Sequence, residues 1–491
     1  MQRTGRRYAR RESDAGRPGF ARCVRSAGGP PASGRSCVGR RVSALSLSIV
    51  ELTAAVRRGE LRAVDVLDEC LARIDELDHV IRAWVCIDAD GAHRAAEAID
   101  ARAERDDPRP LLGVPIGVKD IIDVAGLPTL AGSPLRRGHV AERDATIVAR
   151  LRAAGAIILG KTVTTEWACF DPPPTRNPWS RSHTPGGSSS GSAAAVAARM
   201  CPAAIGTQTG GSIVRPAAYC GVAGLKPTFG RVSRSGVLPV SENLDHVGPI
   251  SKSVAGLALL LNVLAGYDET DPHSSDEETA DYTSDMSRKD PPRIGVIEEF
   301  FAENSSEEIA EATTAAIGQL RAAGAQVVNI VLPESFAEVI EMHARVMAAE
   351  ISDVHKQAFA EHPEAFGQSV RSLIETGLAM TQDEYRQALD RREQFADEMA
   401  DAFGDVDALV TPSTDTTAPD DLATTGRPLF QSPWSFAGLP AATIPCGLGE
   451  SGLPAGLQLI GREFDEPRLL GAAAWCERVF DFHAKPPLVD G

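Results

Sequence analysis

Three short stretches of this chain set reactive groups in unusual surroundings. Gly113–Asp120 (GVPIGVKD) ends an apolar run on Lys119. A lysine there is either a surface amine snorkelling to water or a desolvated one, and desolvation turns lysine into a base near neutral pH. Thr184–Ser192 (TPGGSSSGS) reads as a flexible linker, yet it runs straight into an Ala-rich helical segment, so its amides can line a helix N-terminus. Gly206–Pro216 (GTQTGGSIVRP) places two glycines before Ser212. Backbone N–H groups from Thr209 through Gly210 and Gly211 to Ser212 can then turn inward and cradle an oxyanion. Each stretch alone has a bland explanation. Together they supply a base, a hydroxyl relay, a nucleophile and an oxyanion site, the parts that acyl transfer needs.

Two other motifs are decoys. Gly155–Thr162 (GAIILGKT) fits the phosphate-loop pattern, but a helix precedes it and its four central residues are Ala-Ile-Ile-Leu, a buried strand rather than an open loop. Gly187–Gly191 (GSSSG) fits the nucleophile elbow around Ser189, but the residues before it are polar and broken by proline, and no histidine stands in a convincing triad context. No H-E-x-x-H or comparable cluster supports a metal, so none is expected, nor any other cofactor.

The elements that must position these groups follow from periodicity. Ser48–Arg58, Ala63–Leu77 and Ala92–Glu104 carry apolar residues at helical spacing. Leu112–Val118 reads as β, Ala145–Ala154 as a helix stopped by Gly155, Ala156–Leu159 as a strand and Ala193–Met200 as a short helix. Ser305–Ala323, Phe336–Phe359 and Asp383–Phe403 read as helices, and the acidic stretch Tyr267–Pro292 as a surface loop. Alternation of this kind implies an α/β fold around a mixed or parallel sheet.

Composition sets the outer limits. The 491 residues suffice for a large core. The longest apolar stretch, Ala255–Ala265, is too short to span a bilayer, so no membrane association is expected. Nine scattered cysteines with no C-x-x-C pair indicate a reducing compartment, here the cytoplasm, and packed thiols rather than a disulfide framework. Net charge is −17, but residues 1–41 carry +9, leaving −26 for the rest. So acidic a body repels phosphates and is not expected to bind nucleic acid directly. Residues 1–44 are rich in Arg, Gly and Ser without apolar periodicity. They read as a disordered tail or an upstream start, with a transit segment and a nucleic-acid arm as alternatives. The remainder, 45–491, is expected to be one catalytic domain.

With these residues in view, the chain resembles the amidase-signature family over about residues 46–485. The three stretches carry the resemblance, with Thr175–Trp179 (TRNPW), Gly206–Ser233, Leu244–Pro249 (LDHVGP), Asp405–Pro412 (DVDALVTP), Ala437–Pro445 and Gly452–Gly461 in family order. The resemblance implies a mixed central β-sheet flanked by helices on both faces, and hydrolysis of a carboxylic amide through a serine acyl-enzyme. By the same resemblance Lys119 is the base, Ser188, held by a cis peptide, the bridging serine, and Ser212 the nucleophile. The backbone of Thr209, Gly210, Gly211 and Ser212 is the oxyanion hole. Three departures stand out: Ser190 replaces a family glycine, Gln208 replaces an acid four residues before the nucleophile, and the arginine two residues after it is displaced to Arg215. Aromatic residues suggest substrate contacts at Phe170, Trp179, Tyr219 and Trp434, with core packing as the alternative. A standalone amidase acting on a small-molecule amide is the main expectation. There are two alternatives. One is the glutaminase component of the tRNA-dependent amidotransferase, whose usual Ser-Asn-Leu-Ala-Arg stretch is missing from Ala348–Phe366. The other is a catalytically silent binding or assembly component. A homodimer is compatible with this reading.

Overall fold

Strands form where the chain offers short apolar runs, and the runs that carry candidate catalytic residues are buried throughout. They are β2 (Pro115–Lys119), β3 (Ile157–Thr162) and β4 (Ala203–Gln208), in which every residue is buried. Continuous burial means that both faces are covered, as helices flanking a sheet achieve. The computed structural model describes residues 43–102 and 107–489. Of the expected tail, residues 1–42 lie outside the described residues; Ser43 and Ala44 lead into a short 3-10 turn, Ala44–Ser46.

The other strands are β1 (Trp84–Ile87), β5 (Ala223–Lys226), β6 (His246–Ser251), β7 (Arg293–Val296), β8 (Gln326–Asn329), β9 (Ala408–Pro412), β10 (Ala441–Leu448) and β11 (Pro454–Ile460). They form one eleven-stranded sheet in the order β1-β3-β2-β4-β6-β5-β10-β11-β9-β7-β8. β3, β2 and β4 are mutually parallel, as are β9, β7 and β8, while the strands between them pair antiparallel. The sheet is therefore mixed, as the resemblance implied.

Most expected helices are present with shifted ends. Ile49–Arg57 starts on a capping box in which Ser48 and Glu51 satisfy each other's backbone N–H groups. The second helix runs Ala63–Ile81, four residues beyond the expected Leu77, because Ile81 extends its buried stripe; Arg82 then ends it in the left-handed conformation. The third, Ala89–Arg102, begins three residues earlier than expected, and its expected end at Glu104 lies outside the described residues. Thr146–Ala153 does stop at Gly155, whose φ of +88° suits only glycine comfortably. Residues Tyr267–Pro292 carry neither helix nor strand.

One topological fact matters most for chemistry. β2 and β4 are parallel neighbours, with Val118 opposite Ile205, so Lys119 at the end of β2 and the turn after Gln208 emerge side by side. The carboxyl ends of parallel strands are where open α/β sheets place their sites.

Candidate active site

Lys119 is fully buried, and its Nζ donates to Ser188 Oγ at 2.7 Å, Thr207 Oγ1 at 2.7 Å and the Thr207 carbonyl at 3.4 Å. Among the described residues no carboxylate forms an ion pair with it. Burial pushes its amine down to about 7, against the opposing pull of Asp245 and Cys169. In the neutral form the Nζ lone pair accepts from the Ser188 hydroxyl while the two N–H groups serve Thr207.

Two other lysines, Lys161 and Lys226, are also fully buried, and their partners disqualify them as bases for a hydroxyl relay. Lys161 forms an ion pair with Asp120 at 3.1 Å and donates to Thr129 and the Pro128 carbonyl. Lys226 donates to the carbonyls of Leu439 and Pro227. The Lys161 pair also shows where Asp120 goes. Strand alternation turns it to the face opposite Lys119, where its carboxylate meets Lys161 and the Leu130 N–H.

Ser188 follows Gly187 through a cis peptide bond. Its neighbours are structural. Ser189 Oγ donates to the Thr207 carbonyl at 3.1 Å and accepts from the Thr207 N–H at 3.2 Å, so both its capacities are spent on β4, which removes the nucleophile-elbow reading. Ser190, the departure from the family glycine, is the first residue of the helix Ser190–Ala197 and donates to the Gly186 carbonyl. A helical position needs no left-handed backbone, so serine fits there. The phosphate-loop decoy likewise resolves into a strand, with Gly160 and Lys161 inside β3.

Ser212 lies in the turn after β4, and its carbonyl accepts from the Ser189 N–H at 3.2 Å, which ties the two serine-bearing loops together. Among the described residues no hydrogen bond joins Ser188 Oγ to Ser212 Oγ; catalytic hydrogen bonds often tighten only with substrate in place. The backbone around Ser212 follows a regular pattern. The carbonyls of Thr209, Gly210 and Gly211 accept from His343 Nε2, Ser435 Oγ and the Arg215 N–H respectively. The N–H groups of Gly210, Gly211 and Ser212 find no acceptor among the described residues. Gln208 occupies the place of the family's acid. Its Oε1 accepts from the N–H groups of Ile213 and Val214, and its Nε2 donates to Ser435 Oγ at 3.0 Å. A neutral amide can accept and donate at once, which a carboxylate cannot.

Ser212, Gly210 and Gly211 line a cavity of about 130 Å³. One wall is the long helix Phe336–Glu361, through Ile340, His343, Ala344 and Met347, a stripe at helical spacing. Among the described residues, Arg215 is the one charged side chain that lines it. Its Nη2 donates to the Gly187 carbonyl at 2.7 Å, whereas Nε and Nη1 find no acceptor among the described residues. Burial lowers its guanidinium to about 10, so it stays charged at neutral pH. A larger cavity, about 720 Å³, is lined by Thr207, Asp245 and Glu350 but not by Ser212. Gly210, Gly211 and Ser212 border the smaller cavity and not the larger one.

Of the four aromatic residues expected at the substrate, Phe170 alone lines this cavity. Trp179 and Tyr219 pack with Leu453 in a separate apolar cluster, where the Trp179 Nε1–H is spent on the Cys220 carbonyl. Trp434 is wholly buried and stacks on Phe301. The positions of Thr207, Asp245, His343 and Ser435 carry no sequence signal of a role. Thr207 and Asp245 fall within family segments, while His343 and Ser435 are exposed as neighbours only by the tertiary structure.

Among the described residues, no cluster of three or more His, Cys, Asp or Glu side chains could hold a metal ion, and no helix is long and apolar enough to cross a membrane. The described cysteines are all buried thiols outside any disulfide.

A family model described as Amidase matches residues 65–470. The chain belongs to the amidase family. Amidases hydrolyse amide C–N bonds, and the relatives agree with that assignment. The chain is 38% identical over 483 residues to the A-type component of the glutamyl-tRNA(Gln) amidotransferase of Roseiflexus sp. (strain RS-1), covering 90% of this chain and 98% of the relative. The native peptide amidase from Stenotrophomonas maltophilia superposes with a TM-score of 0.79 at 32% identity, over 90% of this chain and 98% of that one. A chain from a vestigial protein complex connected with the origins of an s-triazine catabolic enzyme superposes with a TM-score of 0.82 at 34% identity, over 88% and 98%.

Proposed function

We propose that this amidase works alone on a small-molecule amide, with Ser212 as nucleophile, Ser188 as proton relay and Lys119 as base. Neutral Lys119 takes the Ser188 proton, Ser188 takes that of Ser212, and Ser212 attacks the carbonyl. The N–H groups of Gly210, Gly211 and Ser212, with Thr209 beside them, receive the developing charge. The proton returns through Ser188 to the leaving amine, and water releases the acid. The observation that carries this reading is the 2.7 Å contact between a desolvated lysine amine and the Ser188 hydroxyl.

The cavity's size favours a short acyl group. Among the described residues its lining holds Arg215 and no carboxylate, which favours an acyl group bearing a carbonyl or carboxylate over one bearing an ammonium. Glutamine bears both charges, and nothing in that lining would compensate its ammonium. The second reading, a glutaminase component of a tRNA-dependent amidotransferase, draws on the relatives of that name, which match this chain over 98% of their length. Ammonia release from a panel decides between them: glutamine, short aliphatic amides, monoamides of short diacids, aryl amides and urea-like compounds. Turnover of a simple amide by the chain alone supports the first reading, and turnover of glutamine only, in the presence of a partner protein, the second. Quenching during turnover should leave acyl mass on the peptide containing Ser212; mass on Ser189 would overturn the assignment.

A further inference from the structure

The turn after β4 is built so that three consecutive carbonyls are held, while the three N–H groups that follow them find no acceptor among the described residues. In a trans peptide the C=O and N–H point in opposite directions. His343, by holding the Thr209 carbonyl, therefore aims the Gly210 N–H away from itself, and Ser435 does the same for the Gly211 N–H through the Gly210 carbonyl. The third peptide is fixed by the fold itself, through the Arg215 N–H on the Gly211 carbonyl. Without the two side-chain donors, the first two peptides would be free to rotate about glycine, the residue with the fewest backbone restrictions.

We propose that His343 and the Gln208–Ser435 pair are positioning residues of the oxyanion site, each holding a carbonyl so that the next N–H faces the reacting bond. Three details support this. His343 is buried and held down to about 4, so it is neutral at working pH; since a carbonyl only accepts, its Nε2 carries the proton. Ser435 Oγ accepts from Gln208 Nε2, which commits its own proton to the Gly210 carbonyl. Close packing favours a glycine at the second of the two positions: a Cβ on Gly211 would collide with Gln431 Oε1. The same Gln208 that holds Ser435 also fixes the N–H groups of Ile213 and Val214, so one amide aligns both sides of the nucleophile.

The inference rests on Ser212 being the nucleophile, and its test separates the two. Ser435→Ala and His343→Leu are compared with the parent on an amide and its matching aryl ester, and by inhibition with a boronic acid, whose tetrahedral adduct places an anionic oxygen in the hole. Each variant should lower kcat on both substrates by about ten- to a hundredfold, somewhat less than outright loss of a donor. KM should change by less than about threefold, boronate inhibition should weaken in step with kcat, and His343→Gln, which keeps an N–H donor, should recover activity. If His343→Leu does not fold, Ser435→Ala, which removes a single oxygen, decides. Unchanged kcat in Ser435→Ala, or losses confined to KM or to melting temperature, would overturn the proposal. Absence of acyl mass on Ser212 in the parent enzyme would instead overturn the nucleophile assignment.

Discussion

Replacing Lys119 by arginine tests the physics of the site most directly. The amine is moved from 10.5 in water to about 7 by burial, a penalty against the ammonium of about 5 kcal/mol at about 1.36 kcal/mol per unit. An ordinary lysine at pH 7 is neutral in about one molecule in three thousand, and Lys119 in about half. The relay thus gains roughly a thousandfold in available base. On an amide substrate, kcat/KM should rise about tenfold per pH unit below 7 and level off above it. Lys119→Arg should abolish this activity, because guanidinium does not deprotonate in a protein. Lys119→Ala should lose about 10²- to 10⁴-fold on the amide and much less on a matched aryl ester, whose leaving group needs no proton. The same depression has a stability consequence. Between the folded value near 7 and the unfolded value near 10.5, the unfolded chain holds a proton that the native state lacks, so this residue's contribution to stability rises with pH across that window. Below pH 7 the full penalty remains, and Lys119→Met should raise the melting temperature there. An acid limb centred above pH 9, or substantial amide turnover by Lys119→Arg, would refute the reasoning.

Asp245 acts against the depression of Lys119, so Asp245→Asn should move the acid limb of the rate profile to lower pH, as measured by kcat/KM from pH 5 to 9. Asparagine can keep the contacts to the Val240 and Ser241 N–H groups, so the fold should survive. Ser189→Ala should leave the acyl adduct on Ser212 while costing about 1–3 kcal/mol in denaturant unfolding, because it strands the Thr207 N–H. Arg215→Gln should lower the preference for carboxylate-bearing amides over neutral ones of equal length by about thirtyfold or more, read as a ratio of kcat/KM values.

What was legible in the chain was the local chemistry. The apolar run before Lys119, the glycines before Ser212 and the polar loop before the Ala-rich helix each carry a physical reason that needs only neighbours in sequence. The strands β2, β3 and β4 follow from the same runs. The partner of Asp120 was not legible, because Lys161 reaches it across two strands rather than along one. Neither were His343 and Ser435, which arrive from helices more than a hundred residues downstream with no local pattern to mark them. The aromatic residues misled for a related reason. Size and polarity suit Trp179, Tyr219 and Trp434 equally to a pocket and to a core, and only packing separates the two.

The cavity wall divides labour between two kinds of element. The reacting groups ride on strand ends and the turns locked to them, while the opposite side is one stripe of a single rod, Ile340, His343, Ala344 and Met347 on Phe336–Glu361. Exchanging Ile340, Ala344 or Met347 changes the depth and girth available to an acyl group without touching the sheet. Substrate range in this scaffold is therefore a nearly separable variable, open to drift or redesign at three positions one helical turn apart. His343 is the exception, since altering it for the sake of shape would also release a peptide on which the chemistry depends.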